Sequence, residues 1–155
     1  MRISTKGRYA LRIMLDLAEK YNLGCVSIKE LAKDEELSAK YLEHIISTLT
    51  KAGFVTSTRG AHGGYCLKKE PSNYTVGAIL RLMEGDLALV SCLETKAATC
   101  PHFDKCITVE VWKLIQGTIE ELVDNLTLID LLRMQQDKLG VPSLYLTYLL
   151  HQKTK

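Results

Sequence analysis

Ser38-Ala39-Lys40-Tyr41-Leu42-Glu43-His44-Ile45-Ile46-Ser47-Thr48-Leu49 is followed, past Gly53, by Phe54-Val55-Thr56-Ser57-Thr58-Arg59-Gly60-Ala61-His62-Gly63-Gly64-Tyr65-Cys66-Leu67. The first run puts Leu42, Ile45, Ile46 and Leu49 at three- and four-residue steps, one face of a helix. Ser38 can cap that helix and Gly53 closes it. The second run sets two β-prone stretches on either side of a glycine-rich turn, which predicts a β-hairpin. Upstream, Ser27-Ile28-Lys29-Glu30 is a capping box ahead of a short helix with Ile28, Leu31 and Ala32 inward, stopping near Glu35. Two helices joined by a few residues make a helix-turn-helix outline that many helical hairpins share. A hairpin directly after the second helix is a wing, and the combination is much more specific than either part.

The flanking segments extend the picture. Residues 8–22 read as an amphipathic helix through Ala10, Ile13, Met14, Leu17, Ala18 and Tyr21, with Asn22-Leu23-Gly24 ending it. Thr75 and Gly85 bracket a helix over Val76, Ile79, Leu80 and Met83. A long helix runs from Ile107 to about Asn125. In it Thr108, Trp112, Ile115, Ile119 and Leu122, continuing to Leu126, alternate steps of four and three, the a/d seam of a coiled coil. At about 28 Å it is longer than a small core requires. Thr127 with Asp130 can cap a further helix, ended by Gly140 and Pro142; the pattern of Leu144, Tyr145, Tyr148 and Leu149 is helical but has no evident place. The expected fold is therefore mainly α: a winged helix-turn-helix with a small hairpin wing and a long dimerisation helix. Its expected parts are a DNA-binding domain (1–85), a cysteine-bearing sensor loop (86–106), the dimerisation helix with its follower (107–140) and a tail (141–155).

Composition bounds the class. Of 155 residues, 46% are hydrophobic and 25% charged, ordinary for a globular protein. No run is long and apolar enough to span a bilayer, and no signal peptide is recognisable, so a cytoplasmic protein with no membrane partner is expected. The net charge of +2 is unevenly placed: the first seventy residues hold twelve Lys/Arg against eight Asp/Glu, the remainder eight against ten. Arg2, Lys6, Arg8 and Arg12 all precede the first acid, Asp16. A basic first half suggests an anionic partner. No Ser/His/Asp set, paired catalytic carboxylates or nucleotide loop is recognisable, so no enzymatic activity is expected.

In a helix-turn-helix the second helix enters the major groove with its N-terminal side chains on base edges. With the apolar face inward, Lys40, Tyr41, Glu43 and His44 point out. Lys40 can donate to guanine acceptors or phosphate, and Glu43 can accept from the cytosine amino group. Ser38 and Tyr41 suit phosphate contacts at the helix N-terminus. Arg59 at the hairpin tip can enter a narrow minor groove, where the negative potential is strongest, while Gly60, His62 and Gly63 complete the tip. Lys6 adds a basic side chain near the chain start. The predicted partner is double-stranded DNA.

Five cysteines are present: Cys25, Cys66, Cys92, Cys100 and Cys106. An odd count argues against a disulfide framework, and cytoplasmic glutathione keeps unligated thiols reduced, so no disulfide is expected. Cys25 and Cys66 are read as core or strand residues without a ligand role. Cys92, Cys100 and Cys106 lie on a loop just ahead of the long helix, where thiolates can converge on an iron–sulfur cluster. With His102 the same loop could hold structural zinc as Cys3His; free thiols are the third alternative.

The stretches Arg2-Ile3-Ser4-Thr5-Lys6-Gly7-Arg8-Tyr9-Ala10, Ser38-Ala39-Lys40-Tyr41-Leu42-Glu43, Arg59-Gly60 to Gly63-Gly64-Tyr65 and Thr127-Leu128-Ile129-Asp130-Leu131-Leu132 resemble the IscR-like regulators of the Rrf-two family of winged-helix repressors. The resemblance covers about residues 1–137. It implies a homodimer with crossing long helices on a pseudo-palindromic operator. It also implies base reading near Lys40 and Glu43, and minor-groove contact from Arg59. By the same resemblance, Cys92, Cys100 and Cys106 hold an iron–sulfur cluster, 2Fe-2S or 4Fe-4S, that senses cluster supply, redox state or nitric oxide. The chain departs from the pattern at Lys40, where serine is frequent, and at Val109, which stands where a fourth ligand, histidine, is expected. His102 is the first substitute; Glu94, Asp104, Glu110, a residue of the other protomer or a small molecule are others. The same family contains cluster-free, CymR-like regulators controlled by a partner protein or small molecule.

Overall fold

The computed structural model describes residues 3–60, 63–94 and 100–152. The described elements run α1 (Thr5–Glu19), α2 (Ile28–Asp34), α3 (Ala39–Lys51), β1 (Val55–Thr58), β2 (Gly64–Leu67), α4 (Val76–Glu84), α5 (Ile107–Asn125), α6 (Leu128–Leu139) and α7 (Leu144–Gln152). The strands pair antiparallel, with Val55 opposite Leu67 and Thr58 opposite Gly64. This is the mainly helical, winged helix-turn-helix architecture expected. Among the described residues no helix is long and apolar enough to cross a membrane.

Helix α1 begins earlier than its apolar periodicity suggests because Ser4 caps it, its Oγ accepting from the Gly7 N–H at 3.1 Å. The Ser4 N–H and hydroxyl in turn donate to Glu84 Oε1 at 3.1 and 2.7 Å, tying the start of α1 to the end of α4. The inner face of α1 (Ala10, Ile13, Met14, Leu17, Ala18) packs into one cluster with Leu31 of α2 and with Leu42, Ile45, Ile46 and Leu49 of α3. Ile79 of α4 and Leu128 and Leu132 of α6 join it, as do Val55 and Leu67 of the hairpin and Val26, Tyr74 and Tyr145. Leu→Ala at such sites costs about 2–5 kcal/mol, so these positions carry the fold.

The capping box at α2 forms only in half. Ser27 Oγ accepts from the Glu30 N–H at 3.2 Å, but the Glu30 carboxylate lies 3.1 Å from Lys20 Nζ instead of reaching back. Lys20 also meets Asp16 and Asp34, and this acidic surround outcompetes a local cap. The box at α6 is complete: the Thr127 hydroxyl accepts from the Asp130 N–H, and the Asp130 carboxylate accepts from the Thr127 N–H at 3.0 Å.

Helix α7 docks on α1. Glu19 accepts from the Ser143 hydroxyl at 2.5 Å and from the Leu144 N–H at 2.6 Å, and buried Tyr145 meets Tyr21 edge-on at 5.7 Å. Helix α5 differs from all the others. Its buried residue is Val109, whereas Ile107, Val111, Trp112, Leu114, Ile115 and Leu122 are exposed. It is anchored at its C-terminal end, where Asp124 pairs with Arg81 of α4.

One expectation is overturned. Cys25 and Cys66 form a disulfide. The pairing has a tertiary cause. Val26 forms an isolated antiparallel bridge with Tyr65, which lays the segment around Val26 against β2, and cysteines 41 apart in sequence meet.

Candidate nucleic-acid interface and cysteine loop

The surface expected to read DNA begins at the N-terminus of α3. Ser38 has extended backbone angles and its Oγ accepts from the Tyr41 N–H at 3.3 Å. With Leu42, Ile45, Ile46 and Leu49 sealed in the core, the 3.6-residue period turns Lys40, Glu43, His44 and Ser47 to solvent. The hairpin stands beside this helix. Glu43, Ser47 and Lys51 of α3 line a groove whose other wall is Ser57 and Tyr65. Arg59 and Gly60 are exposed at the tip. Gly60 has φ 116°, a value side-chain-bearing residues rarely adopt, and its carbonyl accepts from the Gly63 N–H at 2.9 Å to close the turn. His62 lies outside the described residues. Among the described residues Lys40, Glu43 and Arg59 have no ion-pair partner, so their charges are free for a ligand. Lys6 is half-buried on the first turn of α1.

Tyr41 is placed differently from a free phosphate donor. It is half-buried, with its ring edge-on to Tyr9 at 6.1 Å. The Arg12 guanidinium lies over the Tyr9 ring at 5.4 Å, and Arg12 Nε is 2.7 Å from Glu35 Oε2. Glu35 is buried at the helix-turn-helix turn. Burial pushes its carboxyl above the usual range, opposed by Arg12. The next residue, Glu36, takes a left-handed φ of 55°. A brace thus runs from this turn through α1 to the first turn of α3. Periodicity marks Arg12 only as outward-facing, and its partners are set by tertiary packing.

The three loop cysteines are half-buried and carry no cross-link. Cys92 sits in a short 3-10 turn, Ser91–Leu93. Cys106 is the N-cap residue of α5, with Sγ 3.1 Å from Thr108 Oγ1. That contact, with the Val109 N–H, lowers the Cys106 thiol pKa and favours thiolate. His102 is exposed and caps a second 3-10 turn, Phe103–Lys105. Asp104 and Glu110 line a shallow recess with Cys106 and Lys113. Val109 is 2% exposed, so the position three residues past the last cysteine is used for packing. Among the described residues, no three His, Cys, Asp or Glu side chains are gathered closely enough to hold a metal ion. The donor chemistry nonetheless suits a cluster: three uncross-linked thiols on the segment ahead of α5, the last of them at the helix start and biased toward thiolate.

A family model described as "Rrf2: Iron-dependent Transcriptional regulator" matches residues 3–134. The HTH-type transcriptional regulator CymR of Bacillus subtilis (strain 168) is 43% identical over 131 residues, 84% of this chain and 89% of that protein. The HTH-type transcriptional regulator IscR of Serratia proteamaculans (strain 568) is 34% identical over 135 residues, 87% and 81% of the two chains. The solved structure of T. potens IscR matches with a TM-score of 0.72 at 38% identity, covering 89% of this chain and 90% of that one. This winged helix-turn-helix chain, matched over most of its length by this model and these relatives, belongs to the Rrf2 family of transcriptional regulators.

Proposed function

We propose that this regulator is a homodimeric repressor that reads a pseudo-palindromic operator, with an iron–sulfur cluster on Cys92, Cys100 and Cys106 setting its DNA affinity. The observation that carries the DNA half is the set of exposed charges without an ion-pair partner among the described residues, Lys40 and Glu43 on α3 and Arg59 at the hairpin tip, with Glu43 lining the groove between helix and hairpin. In this reading α3 enters the major groove. Lys40 donates to guanine or phosphate and Glu43 accepts from cytosine. Ser38, His44 and Lys6 lie toward phosphates. Tyr41 positions the helix start and offers its edge. Arg59, with Gly60, His62 and Gly63 at the tip, takes the minor groove. The chain divides by role into a DNA-reading part (1–85), the sensor loop (86–106), the dimerisation helix with α6 (107–140) and the tail. Two copies are supported by the exposed apolar seam of α5.

For the sensor half, Cys92, Cys100 and Cys106 would hold the cluster, with His102 as the nearest substitute for the missing fourth ligand. The cluster supplies a group whose charge and integrity respond to oxidation, nitric oxide or iron loss. The chain's own part is to present thiolate at the start of α5, which Thr108 and the Val109 N–H favour at Cys106.

A second reading is cluster-free control by a partner protein or small molecule. The 43% identity to CymR and the ungathered cysteines favour it. One measurement separates the two: a spectrum of anaerobically purified protein with iron, zinc and acid-labile sulfide assays. Iron and sulfide lost on Cys92→Ala support the cluster. Protein that stays iron-free after reconstitution leaves the cluster-free reading, and stoichiometric zinc points to a structural Cys3His site. For DNA, Glu43→Ala should relax base preference more than it weakens binding, and affinity should fall steeply with salt. Unchanged affinity and selectivity in both Glu43→Ala and Arg59→Ala would refute the docking.

A further inference from the structure

The Cys25–Cys66 pair lies outside the sensor loop and has its own logic. The Val26 N–H donates to the Tyr65 carbonyl at 2.9 Å and the Tyr65 N–H returns a bond to the Val26 carbonyl at 2.8 Å. That exchange makes Val26 and Tyr65 a hydrogen-bonded pair of an antiparallel ladder. Cys25 and Cys66, one step along, are then the non-hydrogen-bonded pair, in which Cα atoms stand closest. Their Cα atoms are 4.7 Å apart. Gly64 lets the strands lie flat, since a Cβ there would strike the Val26 carbonyl. The main chain alone therefore holds the two cysteines face to face, whether they are thiols or a disulfide.

The pair is also placed to matter. Cys25 precedes by two residues Ser27, the N-cap of α2. Cys66 lies on β2, which leads from the turn bearing Arg59. The sulfur bridge thus links the wing directly to the first helix of the helix-turn-helix. Without it, the tie along this edge is the two hydrogen bonds of one bridge. Both cysteines are half-buried, on the sheet face shared with exposed Thr56 and Thr58, whose hydroxyl at 58 donates to Cys25 Sγ at 3.2 Å. Small thiols can reach them from that side.

We propose that Cys25 and Cys66 form a reversible thiol–disulfide exchange site for low-molecular-weight disulfides and thiols, and that its oxidation state sets how firmly the wing is held for DNA. One cysteine thiolate attacks a sulfur of the small disulfide, forming a mixed disulfide and releasing one small thiolate. The second cysteine gives up its proton and attacks the protein-side sulfur, closing the Cys25–Cys66 bond and expelling the second small thiolate. The pair loses two electrons, the small disulfide gains them, and two small thiols result; two small thiols reverse the step. The oxidised wing is pre-organised, so it binds DNA more tightly. The proposal rests on the wing contacting DNA and is independent of any cluster.

The probe is a DNA duplex selected from a random-sequence library by the wild-type protein. In the full-length wild-type chain, peptide mass mapping after oxidised glutathione should find Cys25 joined to Cys66, and after dithiothreitol both should alkylate. Affinity is then compared between the two states in the full-length Cys92→Ala, Cys100→Ala, Cys106→Ala chain, so that this pair alone responds. Reduction should weaken binding roughly three- to tenfold, and Cys66→Ser should bind like the reduced form in either buffer. The proposal is overturned if both cysteines stay alkylatable in oxidised glutathione. It is also overturned if the two states bind within twofold of each other while Arg59→Ala weakens binding. Should Arg59→Ala be silent as well, the wing contact itself has failed and takes the switch with it.

Discussion

Reducing the Cys25–Cys66 bond should cost the folded chain a sizeable share of its stability, and the amount can be worked out. The bond closes a loop across a sequence separation of 41. The chain-entropy relation for a loop of this length gives about 13 cal/mol/K removed from the unfolded ensemble, or about 4 kcal/mol at 25 °C. On reduction the Val26–Tyr65 hydrogen bonds keep the register, so the fold persists and the native change is confined to a looser wing about that one bridge. The loss therefore falls mainly on the unfolded state. For a chain of this size each kcal/mol moves Tm by about 2–4 °C, so the expected fall is roughly 10 °C. The assay is scanning calorimetry with and without a phosphine reductant, in the chain with Cys92, Cys100 and Cys106 replaced by alanine. Cys66→Ser should show the lower Tm in both buffers. Complete reduction, verified by alkylation at both positions, with a Tm shift below about 2 °C would refute the entropic reasoning.

Three further outcomes are expected. Trp112→Asp on the exposed seam of α5 should shift the chain from dimer to monomer in sedimentation while leaving its far-ultraviolet circular dichroism intact, since Trp112 belongs to no buried cluster among the described residues; an unchanged sedimentation coefficient would remove α5 as the interface. In the unligated protein, alkylation of Cys106 should reach half its limiting rate at a pH below that of an ordinary cysteine, because Thr108 lowers its pKa, and Thr108→Val should move the profile up. Thr127→Ala should cost about 1 kcal/mol of cap energy. The Asp130 carboxyl is held low chiefly by the Thr127 hydroxyl, so its stabilisation is complete above the unfolded value near pH 4 and lost as pH falls through the lower folded value. Urea titrations across that window should show the dependence in the parent and a flatter curve in the variant.

What could be read along the chain was whatever is fixed within a few residues. Ser38, Thr75 and Thr127 cap their helices with their own side chains, and Gly85 and Gly140 take positive φ at the ends of α4 and α6. The apolar stripes of α1 and α3 identify their buried faces because period and burial are the same fact seen twice. Contacts between distant residues were opaque for the same reason. Glu30 belongs to a local box by spacing, yet Lys20 claims it. The tail has a helical pattern without a destination until Glu19 supplies two acceptors for its start. Cys25 and Cys66 look like isolated core residues unless the segment around Val26 is known to lie against β2, and no short-range pattern encodes that register. The candidate interface was legible in α3 and the turn. The brace of Glu35, Arg12 and Tyr9 behind Tyr41 was not.

The exposed face of α5 ties the two halves of the proposed function together. A helix presenting six large apolar side chains to water, anchored at one end, is poorly covered by its own chain. A hydrophobic stripe of this kind is normally covered by another surface, and its heptad spacing suits a second copy of the same helix. The cysteine loop ends at the N-terminus of that helix, where Cys106 is the cap residue. The anchored end reaches α4 through Asp124 and Arg81, and α4 reaches the start of α1 through Glu84 and Ser4, two residues from Lys6. A change at the loop that moved α5 against its partner would thus be delivered along packed elements to the start of α1, which the proposed docking turns toward DNA. The Cys25–Cys66 bridge enters the same surface from the opposite side, through the wing. In the proposed scheme two sulfur chemistries act on one interface by separate routes, and substitutions confined to one cysteine set should leave the response of the other intact.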